Sequence, residues 1–352
     1  MRAPQWSHKP KVSMKTLFIG GTGVISSACT RLAAERGIDL YLLNRGRTPA
    51  DLPPGVRVVA GDISKEQEVA AALSGLTFDV VANFINFTPA DVERDLRLFR
   101  GKVGHYVFIS SCSVYQKPLR DYRVTESTPL ANPYWQYARD KIACEQRLTD
   151  EYRSNGFPVT VVRPSLTYGD TLIPLAVNSR QHPWTVVDRM LRGKPVIVHG
   201  DGTGLWTCTH NSDFAKGFVG LLGNDRAIGH AVHITSDEVL TWEQHYQTVA
   251  DLVGVTPKLV HVPSEVLAAW DPQGRAGLLG DKSWSAVFDN SKVKGLVPGY
   301  AATTTFRQGV ARSIARFQSD PKLAAIDEEF NRWCDDVIAA QGRALPAPRV
   351  AE

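Results

Sequence analysis

The sequence predicts an α/β fold, a doubly wound parallel sheet with a smaller C-terminal α/β lobe. Two observations carry that expectation. Short β-rich runs alternate with helical spacings through the first half of the chain, and such alternation builds a parallel sheet covered by helices on both faces. A glycine turn, Gly20-Gly21-Thr22-Gly23, directly follows the first of those runs. Beyond Gly169 the alternation loosens, and Pro174 and Pro183 interrupt a long loop over residues 170–184.

The elements follow in order. Residues 15–19 form a β-rich run that stops at glycine. Residues 24–36 place Ile25, Ala28, Leu32 and Ala33 on one helix face, and Gly37 ends that helix. Further strands are expected at 40–43, 56–60, 79–82, 105–109 and 159–162, with helical segments such as 65–73 and 90–99 between them. In the second half, 185–191, 213–222, 242–253, 303–317 and 322–340 read as helices and 195–199 as a strand. The expected division is a disordered extension at 1–14, a dinucleotide-binding domain at 15–170, a substrate-binding lobe at 171–342 with some segments returning to the sheet, and a frayed tail at 343–352.

Composition narrows the class. The chain has 352 residues, 43% hydrophobic and 22% charged, as in an ordinary globular enzyme. A net charge of +4, with both signs mixed along the chain, argues against nucleic acid as a partner. No apolar run is long enough to span a membrane. Five scattered cysteines without a Cys-x-x-Cys motif fit a reducing cytoplasm. None of the nine histidines shows metal-ligand spacing, so no metal is expected.

The glycine turn is suited to a dinucleotide. Glycines let a pyrophosphate approach the backbone at a helix N-terminus, where unsatisfied N–H groups and the dipole favour anions. The spacing is Gly20-x-x-Gly23-x-x-Ser26, with a small hydroxyl where glycine is usual. After the second strand come Asn44, Arg45, Gly46 and Arg47. Arginine there suits a 2′-phosphate, which favours NADP, while Asn44 alone could hydrogen-bond the ribose of NAD. Asp62, after the third strand, is placed to meet the adenine edge or to cap the next helix.

Three residues carry chemistry. Tyr137 and Lys141 lie four residues apart, on one helix face, and Ser111 follows the fifth strand. A carbinol that loses hydride must also lose its O–H proton. A tyrosinate takes that proton if its pKa of about 10 is lowered, and a neighbouring ammonium lowers it. A serine hydroxyl holds the substrate oxygen.

These motifs, in this order, resemble the extended short-chain dehydrogenase/reductase group of the NAD-dependent epimerase/dehydratase family, with its Rossmann-type sheet. The resemblance covers about residues 15–310. It rests on Gly20-Gly21-Thr22-Gly23, Gly61-Asp62, the segment Ile109-Ser110-Ser111-Cys112-Ser113-Val114-Tyr115, Tyr137-x-x-x-Lys141, the run Arg163 to Gly169, Gly200-Asp201-Gly202-Thr203, and Asp289-Asn290-Ser291-Lys292. It implies that Ser111, Tyr137 and Lys141 are catalytic. It also implies cofactor contacts from Gly20, Thr22, Gly23, Val24, Ile25, Asn44, Arg45, Arg47, Asp62, Ile63, Asn83, Phe84 and Pro164, besides Tyr137 and Lys141.

Two departures are informative. Where 4,6-dehydratases carry an Asp-Glu pair after the catalytic Thr, this chain has Cys112 and Ser113. Where relatives that bind nucleotide diphosphates carry a phosphate-clamping Arg, it has Trp206, which could stack on a sugar or pack in the core. Arg180, Arg189, Arg192 and Arg275 remain as alternative cations. Cys112, Ser113, Tyr134, Trp206 and His210 are the candidate substrate contacts. The expected reaction is epimerisation of a sugar or glycoside-like substrate through a transient ketone, with net alcohol oxidation or ketone reduction as the rival. A non-catalytic, nucleic-acid-binding relative is the third reading. The partners expected are a small molecule and no membrane or nucleic acid, and a homodimer is compatible with the resemblance.

Overall fold

The computed structural model describes residues 13–46, 51–271 and 275–344. The expected extension at 1–14, apart from its last two residues, the tail from 345 onward, and Arg47 lie outside the described residues.

A seven-stranded parallel sheet organises the first domain. Its strands are β1 (Lys15–Ile19), β2 (Asp39–Asn44), β3 (Arg57–Ala60), β4 (Phe78–Asn83), β5 (Val103–Ile109), β6 (Val159–Pro164) and β7 (Ala231–Ile234). The order across the sheet is β7-β6-β5-β4-β1-β2-β3. The chain winds outward from β1 in both directions, so the loops after β1 and β4 meet at the switch point, where ligands of open α/β sheets bind.

The central strands are apolar because both faces are covered. Phe18 of β1 packs into one core with Cys29 and Ala33 of α1 (Ser26–Glu35) and Phe214 of α6 (Asn211–Leu221). Its neighbours Leu17 and Ile19 enter the opposite core, with Leu96 of α3 (Pro89–Phe99) and Leu148 of α4 (Gln136–Asn155). The period of two along β1 thus serves both layers.

The strand β7 is a segment of the second half that returns to the sheet, at a position the sequence expectation does not name. Its four residues pair with β6 (Ala231↔Val161 to Ile234↔Pro164) only after the chain has passed through the second lobe. The helix α6 packs against α1 from the same excursion. The lobe itself has its own cores, one built around Trp206, Trp242 and Phe306. Its helices include α5 (Thr185–Leu191), as expected, and α7 (Trp242–Leu252), capped by a reciprocal Thr241–Gln244 box. The helix expected at 322–340 begins later, at Glu328.

Candidate active site

The cleft at the end of β1 is a cradle with room for a phosphate and not for side chains. Gly20 and Gly21 hold φ of +100° and +103°. A Cβ on Gly21 would lie 2.7 Å from Leu42 Cδ2, and one on Gly20 would lie 3.3 Å from Ile85. The helix α1 starts without a side-chain cap, which leaves first-turn amides for an anion. Ser26, at the usual glycine position, accepts the Gly23 N–H on Oγ at 2.9 Å and is buried. The hydroxyl therefore stiffens the turn that the third glycine normally closes. Gly20, Thr22, Gly23, Val24, Ile25, Phe84 and Pro164 all line this cleft, together with Ser111, Tyr137 and Lys141.

A groove continues over the ends of β2 and β3, lined by Asn44, Arg45, Asp62 and Ile63. Asn44 Oδ1 accepts the Gly46 N–H at 2.9 Å and shapes the loop. Arg45 is exposed on the groove wall. The Asp62 carboxylate accepts from the Ser64 N–H and hydroxyl, and the helix after it starts at Glu66 with no side-chain cap. These residues fit a dinucleotide: a glycine cradle for the pyrophosphate, and a polar groove for the adenosine end.

Asn83 is a correction. It is fully buried and does not line the cleft. Its Nδ2 donates to Asp95 at 2.6 Å and to Asn86 at 2.7 Å, and its Oδ1 accepts the Ile85 amide at 2.8 Å. Both amide hydrogens and one of the two carbonyl lone pairs are thus used inside the protein. It holds the wall instead of touching the cofactor.

The catalytic candidates converge. Tyr137 stands in the first turn of α4 and Lys141 one turn on. Ser111 starts the short 3₁₀ turn Cys112–Val114 after β5. The Ser111 hydroxyl lies beside the Tyr137 phenol and acts to lower its pKa. Ser113 Oγ donates to Ser111 Oγ at 2.9 Å, and the Ser113 N–H donates to it at 3.1 Å. The Lys141 ammonium is buried beneath them. It donates to the carbonyls of Asn86 at 2.5 Å and Ile109 at 2.7 Å. Burial lowers its pKa to about 8.

Burial also pushes the Tyr137 phenol up to about 12, against the Ser111 hydrogen bond that pulls it down and with the Asp281 charge adding to the rise. From the sequence, the lysine is expected to lower the tyrosine. In this structure burial dominates instead and raises the phenol, because desolvation disfavours the charged phenolate.

A buried network supports Lys141 and was not visible in the sequence. Asn86 is held through its side chain by Arg94 at 2.7 Å and Asp95 at 2.8 Å, and Tyr106 donates to Asp95 at 2.6 Å. Behind Ser111, Arg163 forms a buried pair with Glu145 at 2.5 Å, and the Ser110 hydroxyl also donates to Glu145. Charged residues ordinarily read as surface, and nothing in their spacing marks these as internal.

The substrate candidates separate. A cavity of about 490 Å³ opens beside Tyr137, with Trp135, Arg180, Arg275 and Lys282 on its walls. Trp206 is a correction: it is 1% exposed, stacks on Trp242 at 5.7 Å and belongs to the lobe core. Pairing of Leu205–Trp206 with Leu240–Thr241 turns its indole inward. His210 is a second correction. It is buried, accepts the Ser212 N–H at 3.3 Å, meets Asp170 at 3.3 Å and packs edge-on against Tyr168. Cys112 is buried with Sγ directed at the Arg163 carbonyl. Ser113 is buried and serves Ser111. Neither Cys112 nor Ser113 is on the cavity wall. Tyr134 is exposed near Trp284, also off that wall. Of the four arginines, Arg180 and Arg275 face the cavity, while Arg189 pairs with Asp335 and Arg192 with Asp188. Among the described residues no cluster of three or more His, Cys, Asp or Glu could hold a metal ion, and no helix is long and apolar enough to cross a membrane.

Comparison with known proteins agrees with this geometry. The profile of the NAD dependent epimerase/dehydratase family matches residues 16–235. The chain is 28% identical to 2′-dehydrokanamycin reductase of Streptomyces kanamyceticus, over 85% of each chain. It is 26% identical to the chloroplast stem-loop binding protein of 41 kDa b of Arabidopsis thaliana, over 72% of this chain and 69% of that one. In fold it is similar to Thermus thermophilus UDP-glucose 4-epimerase complexed with NAD, with a TM-score of 0.65 and 20% identity over 87% of this chain and 99% of that one.

Proposed function

The chain belongs to the NAD dependent epimerase/dehydratase family, and on that premise we propose that it oxidises and reduces a secondary alcohol of a sugar or glycoside-like substrate, with epimerisation through a transient ketone as the leading reaction. One observation carries the reading: Tyr137 lines both the cofactor cleft, beside Ser111, and the neighbouring cavity. It is placed to exchange a proton with an oxygen whose carbon faces the cleft.

Bound NAD or NADP would supply the hydride acceptor and donor. The protein supplies the rest. Tyr137 takes the hydroxyl proton as the carbinol becomes a ketone and returns it on reduction. Ser111 donates to the same oxygen and keeps it at the phenol. Lys141, anchored on Asn86 and Ile109, provides positive charge beneath the tyrosine, which eases formation of tyrosinate. The Arg45 side chain on the groove wall favours NADP.

A second reading, net ketone reduction, is favoured by the relative named as a reductase, which matches over 85% of both chains. Nucleic-acid binding, the property in the name of the stem-loop binding relative, is opposed by the assembled Ser111, Tyr137 and Lys141.

The test is to incubate the enzyme with NADH or NADPH and 2′-dehydrokanamycin, and separately with NAD or NADP and uridine diphosphate-glucose. Absorbance at 340 nm and product stereochemistry by NMR are followed. Epimerisation inverts a carbinol with no net change at 340 nm, whereas reduction consumes the cofactor one for one. Absence of either reaction, with equal results for Tyr137→Phe, would refute oxidoreduction at this site for those substrates.

A further inference from the structure

The aromatic surface expected at Trp206 exists elsewhere in the molecule. Among the described residues on the cavity wall, the aromatic side chains are Trp135 and Tyr137. Their rings lie 4.7 Å apart at 39°. Trp135 is only partly buried, in contrast to the core indoles Trp206 and Trp242 at 1%. We propose that Trp135 is the stacking platform of the substrate cavity, receiving the C–H face of a pyranose ring next to Tyr137, with Asn132 as the residue that positions it. This rests on the reading of Tyr137 as the catalytic acid/base.

The indole is held in place from three sides. Its backbone N–H donates to Asn132 Oδ1 at 3.1 Å, in place of the side-chain cap that α4 lacks. Asn132 Nδ2 donates to the Ser113 carbonyl at 2.8 Å and to the Gly280 carbonyl at 2.6 Å. The Tyr134 N–H also donates to Oδ1, at 3.2 Å. Both donors and both lone pairs of this buried amide are therefore used. It joins the serine turn, the start of α4 and the π-helical turn Leu278–Lys282. That turn passes so close to the indole that a Cβ on Gly280 would lie 2.5 Å from Trp135 Cβ.

The surroundings match one ligand chemistry. A pyranose ring has an apolar C–H face and a rim of hydroxyls. The cavity lining joins that indole to Leu166, Leu172 and Leu278, with Lys282 as a charged partner. The Lys282 ammonium lies 5.8 Å from the indole centre. Aromatic rings take the apolar face of such a ligand while the polar groups read its edge.

The experiment is calorimetry on the full chain with NADH present, using uridine diphosphate-glucose and kanamycin as pyranoside probes. Trp135→Leu should weaken the bound probe at least tenfold, and Trp135→Phe should stay within about threefold, because a ring is retained. Gly280→Ala, which pushes on Trp135 without changing it, should weaken the same probe at least threefold. The NADH dissociation constant should hold within about twofold in all variants, which also reports folding. If Trp135→Leu does not bind NADH, Gly280→Ala decides. Wild-type protein that binds NADH but neither pyranoside, or a decisive variant that binds its probe as the wild type does, overturns the platform and leaves the catalytic reading standing. Wild-type protein that binds neither NADH nor NADPH overturns both.

Discussion

The Lys141 ammonium lies 5.8 Å from the centre of the Tyr137 ring, and its protons go to carbonyl oxygens. In the proposed mechanism the lysine acts on the tyrosine through space, as a buried ammonium fixed by Asn86 and Ile109. Its influence therefore depends on whether it carries a proton, and the loss of either residue should have its own signature.

Tyr137→Phe should lower turnover by about 10² or more, the scale of a general acid or base. Binding of NADH, measured by fluorescence, should change by only a few-fold, since the ring remains. Turnover near the wild-type rate would remove Tyr137 from the mechanism.

The pH dependence follows from the lysine. Ketone reduction needs a protonated Tyr137, which is secured by a pKa of about 12, and a charged Lys141, whose pKa is about 8. The kcat/KM for reduction, which reports the free enzyme, should be lost as pH rises through about 8. A profile flat to pH 10 would show that the charge is dispensable. Stability moves the other way. The folded pKa lies below the ordinary 10.5, so between those values the unfolded chain binds the extra proton, and this group's contribution to stability rises with pH across that window.

Arg45→Ala should weaken NADP more than NAD, by about 1.5–3 kcal/mol if the guanidinium makes a charge-assisted bond to the 2′-phosphate. Titration of both cofactors against wild type and variant measures the difference. Equal wild-type affinities, unmoved by the substitution, would assign the ribose to Asn44.

Trp206→Ala should act on stability. It empties a site in the lobe core, where the indole stacks on Trp242 and meets Phe288 edge-on. Denaturant unfolding should show a loss of about 3–5 kcal/mol, the usual cost of removing a buried tryptophan, with NADH affinity retained. A variant of wild-type stability that loses substrate affinity would return Trp206 to the cavity wall.

Sequence by itself determined the features that rest on neighbours a few residues apart. The strands from β1 to β6 follow from short apolar runs between breakers. The cradle follows from Gly20 and Gly21, since their positive φ angles exclude side chains. Tyr137 and Lys141 share a helix face because four residues make about one turn. Tertiary structure decided which way side chains face and what lies behind them. Trp206 turned out to be core because its short strand pairs with Leu240–Thr241. Asn83 turned inward to Asp95, and β7 found β6 across an excursion through the lobe. The Asn132–Gly280 bond spans 148 residues. Such contacts leave no period in the chain, because burial is set by what the rest of the molecule brings alongside, and no window of local sequence contains both partners.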